Sequence, residues 1–298
     1  MLEITLEHTI WEKYMEAQVF PNSEEKEFLR RIDQHTIIVS DVLLDLEEKK
    51  FAGQSGLEEL FKTFIANFNQ SEINAKFIDV VNASYSTNKL DEYQNYIVNL
   101  CLASDDKILL TNSRKILSMK SSPVNSISYD MVMGNKVDNI FSKYTLPIHT
   151  NINKGEESKK HAEWLGRFFK GEKYIEIHDN YICSLDNIKN FKKYILKYIE
   201  ENADVDIYTI VTDNISREDI KREFEKEEYH KWNLSVFLAP SKKEHHARDI
   251  VTNKYVIRMD RGISAFGNNG EMFQSLIDIY DIKEKQYNGY GKDAEQIL

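Results

Sequence analysis

Apolar residues in the first half of the chain follow two periods, one typical of strands and one typical of helices. Short apolar runs, several of them rich in β-branched residues, predict four strands. These strands lie at 2–6, 35–41, 76–81 and 106–112. Apolar residues at helical spacing predict three helices, at 24–32, 57–68 and 90–101. Because strands separated by helices favour a mainly parallel sheet covered on both faces, the first half predicts an α/β domain.

The second half of the chain repeats this alternation of strands and helices. Four further strands are predicted, at 173–179, 204–213, 233–239 and 254–260. Three helices are predicted between or before them, at 161–170, 188–199 and 217–229. The same argument therefore predicts a second α/β domain.

A polar stretch separates these two halves. It contains Pro147 and Gly155 and shows no sustained period, which is typical of a linker. The end of the chain is polar and contains glycine, so we expect it to be mobile. The chain is predicted to consist of a first domain, a linker, a second domain and a mobile tail, at 1–142, 143–158, 159–282 and 283–298.

Charge and hydropathy exclude several classes of protein. The net charge of −10 argues against a protein that coats nucleic acid by bulk electrostatics. No apolar run approaches the ~20 residues that a membrane span needs, and the first residues carry acids where a signal peptide carries lysines. Cys101 and Cys183 lie in apolar stretches, as core residues of a protein in a reducing compartment do. We therefore expect a cytoplasmic protein without a membrane span.

Basic residues concentrate in one stretch of the second half, where only three acids oppose them. They are Lys242, Lys243, Arg248, Lys254, Arg258 and Arg261. His246 and Arg248 are two residues apart, so on an extended segment both point to one face. A guanidinium offers a planar fork to phosphate oxygens, and an imidazole attacks phosphorus or exchanges a proton near neutral pH. The stretch is a candidate phosphodiester site, and the alternative is a solvated face with surplus basic residues.

The second half resembles the phospholipase D-like domain found at the C-terminus of MIT proteins and its bacterial relatives, over roughly 160–275. The resemblance is carried by Asp179, Tyr181, His246, Arg248, Arg261, Gly262 and Phe266. It implies a phosphate-binding site formed by Asp179, Tyr181, Arg248, Asn253 and Arg261.

In active phospholipases of this kind the histidine is the nucleophile, which implies the same role for His246 if this domain is catalytic. Those enzymes have Lys at the position of Arg248 and Asp at the position of Asn253. A single motif is present, so a complete catalytic site would require a dimer. Binding without turnover, hydrolysis, and a purely structural pair of His246 and Arg248 are the three alternatives.

Acidic residues in the first half follow the order found in PIN-like nuclease domains, and the resemblance covers 1–135. Four blocks carry it, LEHTIW at 6–11, IIVSDVLLDLEE at 37–48, LDEYQNYIVNLCLAS at 90–104 and KILLTNSRKIL at 107–117. The resemblance implies that Glu7, Asp45 or Glu47, and Asp91 are catalytic, and that Glu7, Asp45 and Asp91 hold Mg²⁺ or Mn²⁺. Ser113 stands where the family has a fourth acid. The alternative is that these acids are ordinary solvated residues of amphipathic elements.

Three functions from different classes remain open. The first is a metal-dependent nuclease-type effector that cuts RNA or DNA; the resemblance implies a toxin or phage-defence protein of a bacterial conflict system. The second is a pair of nucleic-acid or phosphate-binding modules without catalysis. The third is a metal-independent phosphodiesterase that uses His246 in a homodimer formed through the C-terminal domain.

Overall fold

The chain divides into two compact units, Met1–Thr145 and Leu146–Leu298. The computed structural model describes residues 1–19, 21–54, 56–68, 74–79, 81–134, 140–180, 182, 184–211, 215–239, 248–284 and 294–298. Within these ranges, no helix combines the length and the hydropathy needed to cross a membrane.

The described part of the first unit forms a parallel sheet in the order β3-β2-β1-β4-β5. Its strands are β1 (Glu3–Leu6), β2 (Thr36–Val39), β3 (Ala75–Phe77), β4 (Ile108–Leu110) and β5 (Asn125–Ile127). Its helices are α1 (His8–Val19), α2 (Ser23–Asp33), α3 (Asp41–Phe51), α4 (Leu57–Phe68), α5 (Glu92–Leu102), α6 (Arg114–Leu117) and α7 (Tyr129–Met133). The α/β fold class expected from the alternation is confirmed.

Two separate groups of side chains form the core of this unit. On one side, Val98 and Cys101 of α5 pack with Leu109 of β4 in a fully buried aliphatic cluster. On the other side, Trp11 of α1 lies edge-on against Phe61 and Phe64 of α4, with ring centroids 6.1 and 5.3 Å apart. Such edge-to-face pairs add to the free energy gained by burying the rings. Helix α1 was not among the elements predicted from the sequence.

The described part of the second unit forms a mixed sheet in the order β13-β9-β8-β7-β10-β11-β12-β6. Its strands are β6 (Ile148–Ile152), β7 (Tyr174–Asp179), β8 (Asp204–Thr209), β9 (Asn233–Leu238), β10 (Arg248–Thr252), β11 (Tyr255–Met259), β12 (Ser275–Asp281) and β13 (Glu295–Gln296). Its helices are α8 (Ser158–Gly166), α9 (Leu185–Tyr194) and α10 (Arg217–Phe224), with a 3-10 turn at Gly262–Ala265. Strands β7, β8 and β9 are parallel, and the other pairings are antiparallel.

The two faces of this sheet differ in chemistry because successive side chains alternate between them. Ile177 and Ile207 point to a buried aliphatic face. His178, Tyr208 and Phe237 occupy matching positions on β7, β8 and β9 of the opposite face. Their rings stack in sequence, with centroids 4.5 and 4.7 Å apart.

Two segments predicted to lie outside the domains contain strands among the residues that the structure describes. The predicted linker, 143–158, contains β6, which pairs with β12 at the edge of the sheet. The predicted mobile tail, 283–298, ends in β13, which pairs with β9, and Ile297 is buried. Both strands are short and lie at sheet edges, where backbone hydrogen bonds hold them and few apolar side chains are needed. Hydrophobic periodicity therefore gives little signal for either strand.

Candidate functional site

The carboxyl ends of β1, β2 and β4 meet at one edge of the first sheet. Strand order reverses at β1, since β2 lies on one side of it and β4 on the other. In open parallel sheets of this kind, ligands bind outside the carboxyl ends of the strands at such a switch point. Glu7, Ser40 and Thr111 follow these three strands directly.

Glu7 is held tightly at this edge. Its backbone N–H donates to the carbonyl of Leu110 on the neighbouring strand, at 2.9 Å. Glu7 Oε2 accepts from the hydroxyl of Thr9 at 2.8 Å and from that of Thr111 at 3.3 Å. The side chain is almost fully buried, so its carboxylate is fixed in direction by two hydroxyl donors.

His8 and Glu47 form a close pair beside Glu7. Nδ1 of His8 lies 2.6 Å from Oε2 of Glu47, and Nε2 of His8 lies 3.3 Å from Oε1 of Glu12. Glu47 has no exposed surface, and its other carboxylate oxygen accepts from the hydroxyl of Tyr93. Burial is the largest cause that raises the pKa of Tyr93, and the negative charge of Glu47 raises it further. A buried carboxylate that bonds one ring nitrogen fixes the tautomer and the orientation of the imidazole.

His8 and Glu12 were missed by the sequence analysis. The signals for them were a histidine directly after the first strand and a glutamate four residues later, on the same face of the following helix. Of the two alternatives for the second acid, the structure brings Glu47 to the cluster and leaves Asp45 exposed. The two residues are separated by about 200° around α3, so only one of them faces the sheet edge.

The remaining predicted acid, Asp91, caps α5. Its side chain accepts from the N–H of Gln94 at 2.8 Å, and the Gln94 side chain accepts from the N–H of Asp91 at 3.3 Å. In the part of the chain that the structure describes, no three His, Cys, Asp or Glu side chains are placed to hold a metal ion. Glu7, Asp45 and Asp91 therefore do not assemble the predicted Mg²⁺ or Mn²⁺ site.

A second arrangement of polar side chains lies where β7 ends and β10 begins. Arg248 and Asp179 are register partners on these antiparallel strands, so both side chains point to the same face. Asp179 is buried, and its Oδ2 accepts from the N–H of Ile263 at 2.5 Å. The carboxylate therefore holds the first turn of Gly262–Ala265 against the end of β7.

Gly262 is required for this contact. Its φ is +55°, and a Cβ atom at this position would lie 2.1 Å from Oδ2 of Asp179. Arg261, directly before it, is exposed, and its guanidinium lies 5.7 Å from the centre of the Phe273 ring. Because β11 runs antiparallel to β10, Arg261 emerges at the same sheet edge as Arg248.

Asn253, predicted to bind phosphate with Arg248, lies at the opposite end of β10. Five residues of extended chain separate the two side chains, a distance of about 16 Å. The N–H of Asn253 donates instead to Glu172, at 3.1 Å. Asn253 therefore does not belong to the site around Arg248. Two other predicted site residues, His246 and Tyr181, fall outside the described ranges.

Two members of the predicted basic stretch have acidic partners. Arg258 forms a two-pronged ion pair with Asp249, at 2.9 and 3.0 Å. Lys254 lies 3.3 Å from the carboxylate of Glu172. The positive charge of the stretch is therefore partly neutralised along β11 and in the turn before it. Among the described residues, Arg248 and Arg261 lie at the end of the sheet beside Asp179.

A comparison with known protein families matches the part of the chain that contains Asp179 and Arg248. Residues 159–288 match the family model of the phospholipase D-like domain at the C-terminus of MIT. The matched range includes Asp179, Arg248, Arg261 and the turn Gly262–Ala265. The resemblance seen in the second half of the sequence is confirmed, and the matched range excludes β6 and β13. No curated protein is similar enough to the chain to match it.

Proposed function

We propose that the phospholipase D-like domain recognises a phosphate group, in a phosphodiester or a phosphomonoester. The proposed site lies where β7 ends and β10 begins, beside the turn Gly262–Ala265. The observation that supports this most directly is the register pairing of Arg248 with the buried Asp179. Arg248 supplies the planar fork that binds phosphate oxygens. Arg261 at the same edge adds a second positive charge.

Asp179 acts in this proposal as a positioning residue. A carboxylate repels phosphate, and this one is already turned towards the amide of Ile263. Its role is to hold the turn Gly262–Ala265 in place, which sets the position of Arg261. The predicted direct contact between Asp179 and phosphate is therefore replaced by an indirect one.

We extend the same proposal to catalysis, in which this domain would also hydrolyse the phosphodiester that it binds. His246 lies two residues before Arg248, so continuation of β10 as an extended segment would point both side chains to one face. The imidazole would then attack the phosphorus atom of a bound diester, one P–O ester bond would break to release an alcohol, and water would hydrolyse the resulting phosphohistidine to free the phosphomonoester. The other motif of a complete site would come from a second copy of the chain.

Hydrolysis of nucleic acid at the first sheet is a second candidate function, and the cluster of Glu7, His8 and Glu47 at the switch point favours it. This candidate is the nuclease-type effector of a bacterial conflict or phage-defence system, and it retains a PIN-like relationship for the first unit. His8, oriented by Glu47, would exchange a proton with substrate or water. The acids present do not fit the predicted triad, so no step is assigned to Mg²⁺ or Mn²⁺.

A cleavage and binding assay of the full chain separates these functions. Single-stranded RNA and duplex DNA would be offered with and without EDTA, and binding would be measured by fluorescence anisotropy. Recognition without turnover predicts no cutting, together with weaker binding in Arg248→Gln. Lys254→Gln is the matched control, because it removes one exposed positive charge at the opposite end of β10.

Each other outcome identifies a different function. Cutting that resists EDTA and is lost in His246→Ala would place turnover in the phospholipase D-like domain. Cutting that is lost in Glu47→Gln and retained in His246→Ala would favour the first unit, and its response to EDTA would show whether an ion takes part. Equal losses of binding in Arg248→Gln and Lys254→Gln would contradict the proposed phosphate site.

A further inference from the structure

A cavity of about 400 Å³ opens in the first unit at the amino ends of β2 and β3. This is the sheet edge opposite to the one that carries Glu7 and Glu47. His35 and Asn74, which line the cavity, come directly before β2 and β3. Its volume lies within the range of sites for small organic molecules.

Buried aromatic side chains support the lining of the cavity. Tyr14 and Phe64 meet edge-on, with ring centroids 5.6 Å apart, and both are buried. His35 accepts from the N–H of Leu2 through Nδ1, at 3.4 Å. The hydroxyl of Thr145 donates to a backbone carbonyl, so Nε2 of His35 must donate to that hydroxyl. Both ring nitrogens of the fully buried His35 are therefore directed at protein partners and offer a ligand no donor.

The mouth of the cavity carries a carboxylate. Oδ1 of Asp33 accepts from the hydroxyl of Tyr14 at 2.6 Å. Solvent reaches Asp33 from the cavity side, while the surrounding protein raises its pKa, and the hydrogen bond from Tyr14 opposes this effect. The amide side chains of Gln18 and Asn74 lie at the same mouth. No Lys or Arg occurs among the described residues that line the cavity.

We propose that this cavity binds the edge of a planar ligand that carries two adjacent N–H donors, with Asp33 accepting from both. A carboxylate offers about four lone-pair positions, so the bond from Tyr14 leaves room for two further donors. The absence of Lys and Arg from the described lining disfavours phosphate and carboxylate ligands. The half-buried Leu60 offers the ligand an apolar contact among the lining residues. A guanine base and an alkylguanidinium group share this donor edge, and the site is independent of the function proposed above.

Calorimetric titration of the full chain with guanosine, methylguanidine and adenosine tests the proposal. The titrations are made at about pH 8, roughly four units above the ordinary pKa of an Asp side chain. Guanosine or methylguanidine should bind, and the one that binds identifies the source of the donor edge. Adenosine, which lacks two adjacent ring and amino N–H donors, should bind at least about tenfold more weakly.

Three variants make this test specific. Asp33→Asn should weaken binding at least about tenfold, because one acceptor oxygen becomes a donor. Glu16→Gln is the matched control, since Glu16 is an exposed acid on the same helix as Tyr14 and does not line the cavity. Thr63→Trp would fill the mouth from an exposed position and should abolish binding without altering the bond between Tyr14 and Asp33.

Several results would overturn the proposal. They are equal binding of adenosine, undiminished binding by Asp33→Asn, or no binding of guanosine and methylguanidine up to the solubility of each. If Asp33→Asn unfolds, as far-ultraviolet circular dichroism would show, Thr63→Trp decides: binding retained in that variant excludes the cavity as the site.

Discussion

Gly262 is the residue on which the geometry of the proposed phosphate site depends most closely. Replacing it with Ala would place a Cβ atom 2.1 Å from Oδ2 and 2.7 Å from Cγ of Asp179, at a backbone φ of +55°. The side chain of Asp179 is buried and cannot move aside freely. We expect Gly262→Ala to lower the free energy of unfolding by roughly 2–4 kcal/mol and to weaken phosphate binding.

Gly270→Ala provides the matched control for that variant. Gly270 also has a positive φ, of +87°, but the nearest atom to an added Cβ is 4.0 Å away. Its substitution should cost only the backbone strain, about 1–2 kcal/mol, and should leave binding unchanged. Urea unfolding and anisotropy binding measure both effects. Equal effects of the two substitutions would show that the contact with Asp179 is unimportant.

Asp33 should give the protein a distinctive dependence of stability on pH. The surrounding protein partly desolvates this exposed carboxyl group and raises its pKa in the folded state, so the folded protein binds this proton more tightly than the unfolded chain, by an amount that solvent screening keeps small. The free energy of unfolding should therefore fall as the pH rises from about 3.9, the ordinary value for Asp, through the raised pKa. Urea unfolding between about pH 4 and 8 should show this fall in the wild type relative to Asp33→Asn. A difference that stays constant with pH would contradict it.

Helices α1, α3 and α5 are joined by one hydrogen-bonded group, which consists of His8, Glu47 and Tyr93. Each residue comes from a different helix, and the link is made at the buried Glu47. We expect Glu47→Gln to lower the free energy of unfolding by about 1–3 kcal/mol, because the new amide group would face a hydroxyl or an imidazole donor. The adjacent, exposed Glu48→Gln should change it by less than about 0.5 kcal/mol. Chemical unfolding of both variants checks this, and equal values would show that the group is not a link.

At the scale of elements, the central strands β1, β2 and β4 of the first sheet were predictable because the parallel sheet buries them on both faces. Leu109 and Leu110 of β4 have no exposed surface, so the strand is apolar throughout. The edge strand β6 has only Ile148 and Ile152 buried among its five residues, which gives no clear alternation. In β12, the exposed Leu276 next to the buried Ile277 obscures the period of two.

The sequence indicated which positions belong to the candidate sites better than it indicated where the side chains at those positions point. Asp179 and Arg248 were grouped in one predicted site from their sequence positions, and the register of β7 and β10 makes them partners. The choice between Asp45 and Glu47 depended on the rotation of α3, which packing against the sheet sets. Asn253 was misplaced because the sequence does not show that the chain from Arg248 to Thr252 is one extended strand, which carries Asn253 to its far end. His8 was missed because its partner, Glu47, lies 39 residues away.

For the whole molecule, the boundary of the second unit matters to any fragment that is prepared from it. The family match begins at residue 159, whereas the sheet includes β6, which is hydrogen-bonded along β12. A fragment of residues 146–298 should be monodisperse and unfold cooperatively. A fragment of residues 159–298 would leave the edge of β12 unpaired and should aggregate or unfold at a lower temperature. Size-exclusion chromatography and thermal unfolding compare the two, and identical behaviour would show that β6 contributes nothing.

The positions of β6 and β13 also determine where the chain enters and leaves the second sheet. They occupy opposite edges, seven strand intervals apart. At about 4.8 Å for each interval, the two edges are separated by about 34 Å measured along the sheet. A circular permutant that joins the two ends of this unit would need a connecting peptide long enough to cross the full width of eight strands. By the same geometry, a fluorophore after Leu298 and another near Leu146 would report on the integrity of the sheet through the energy transfer between them.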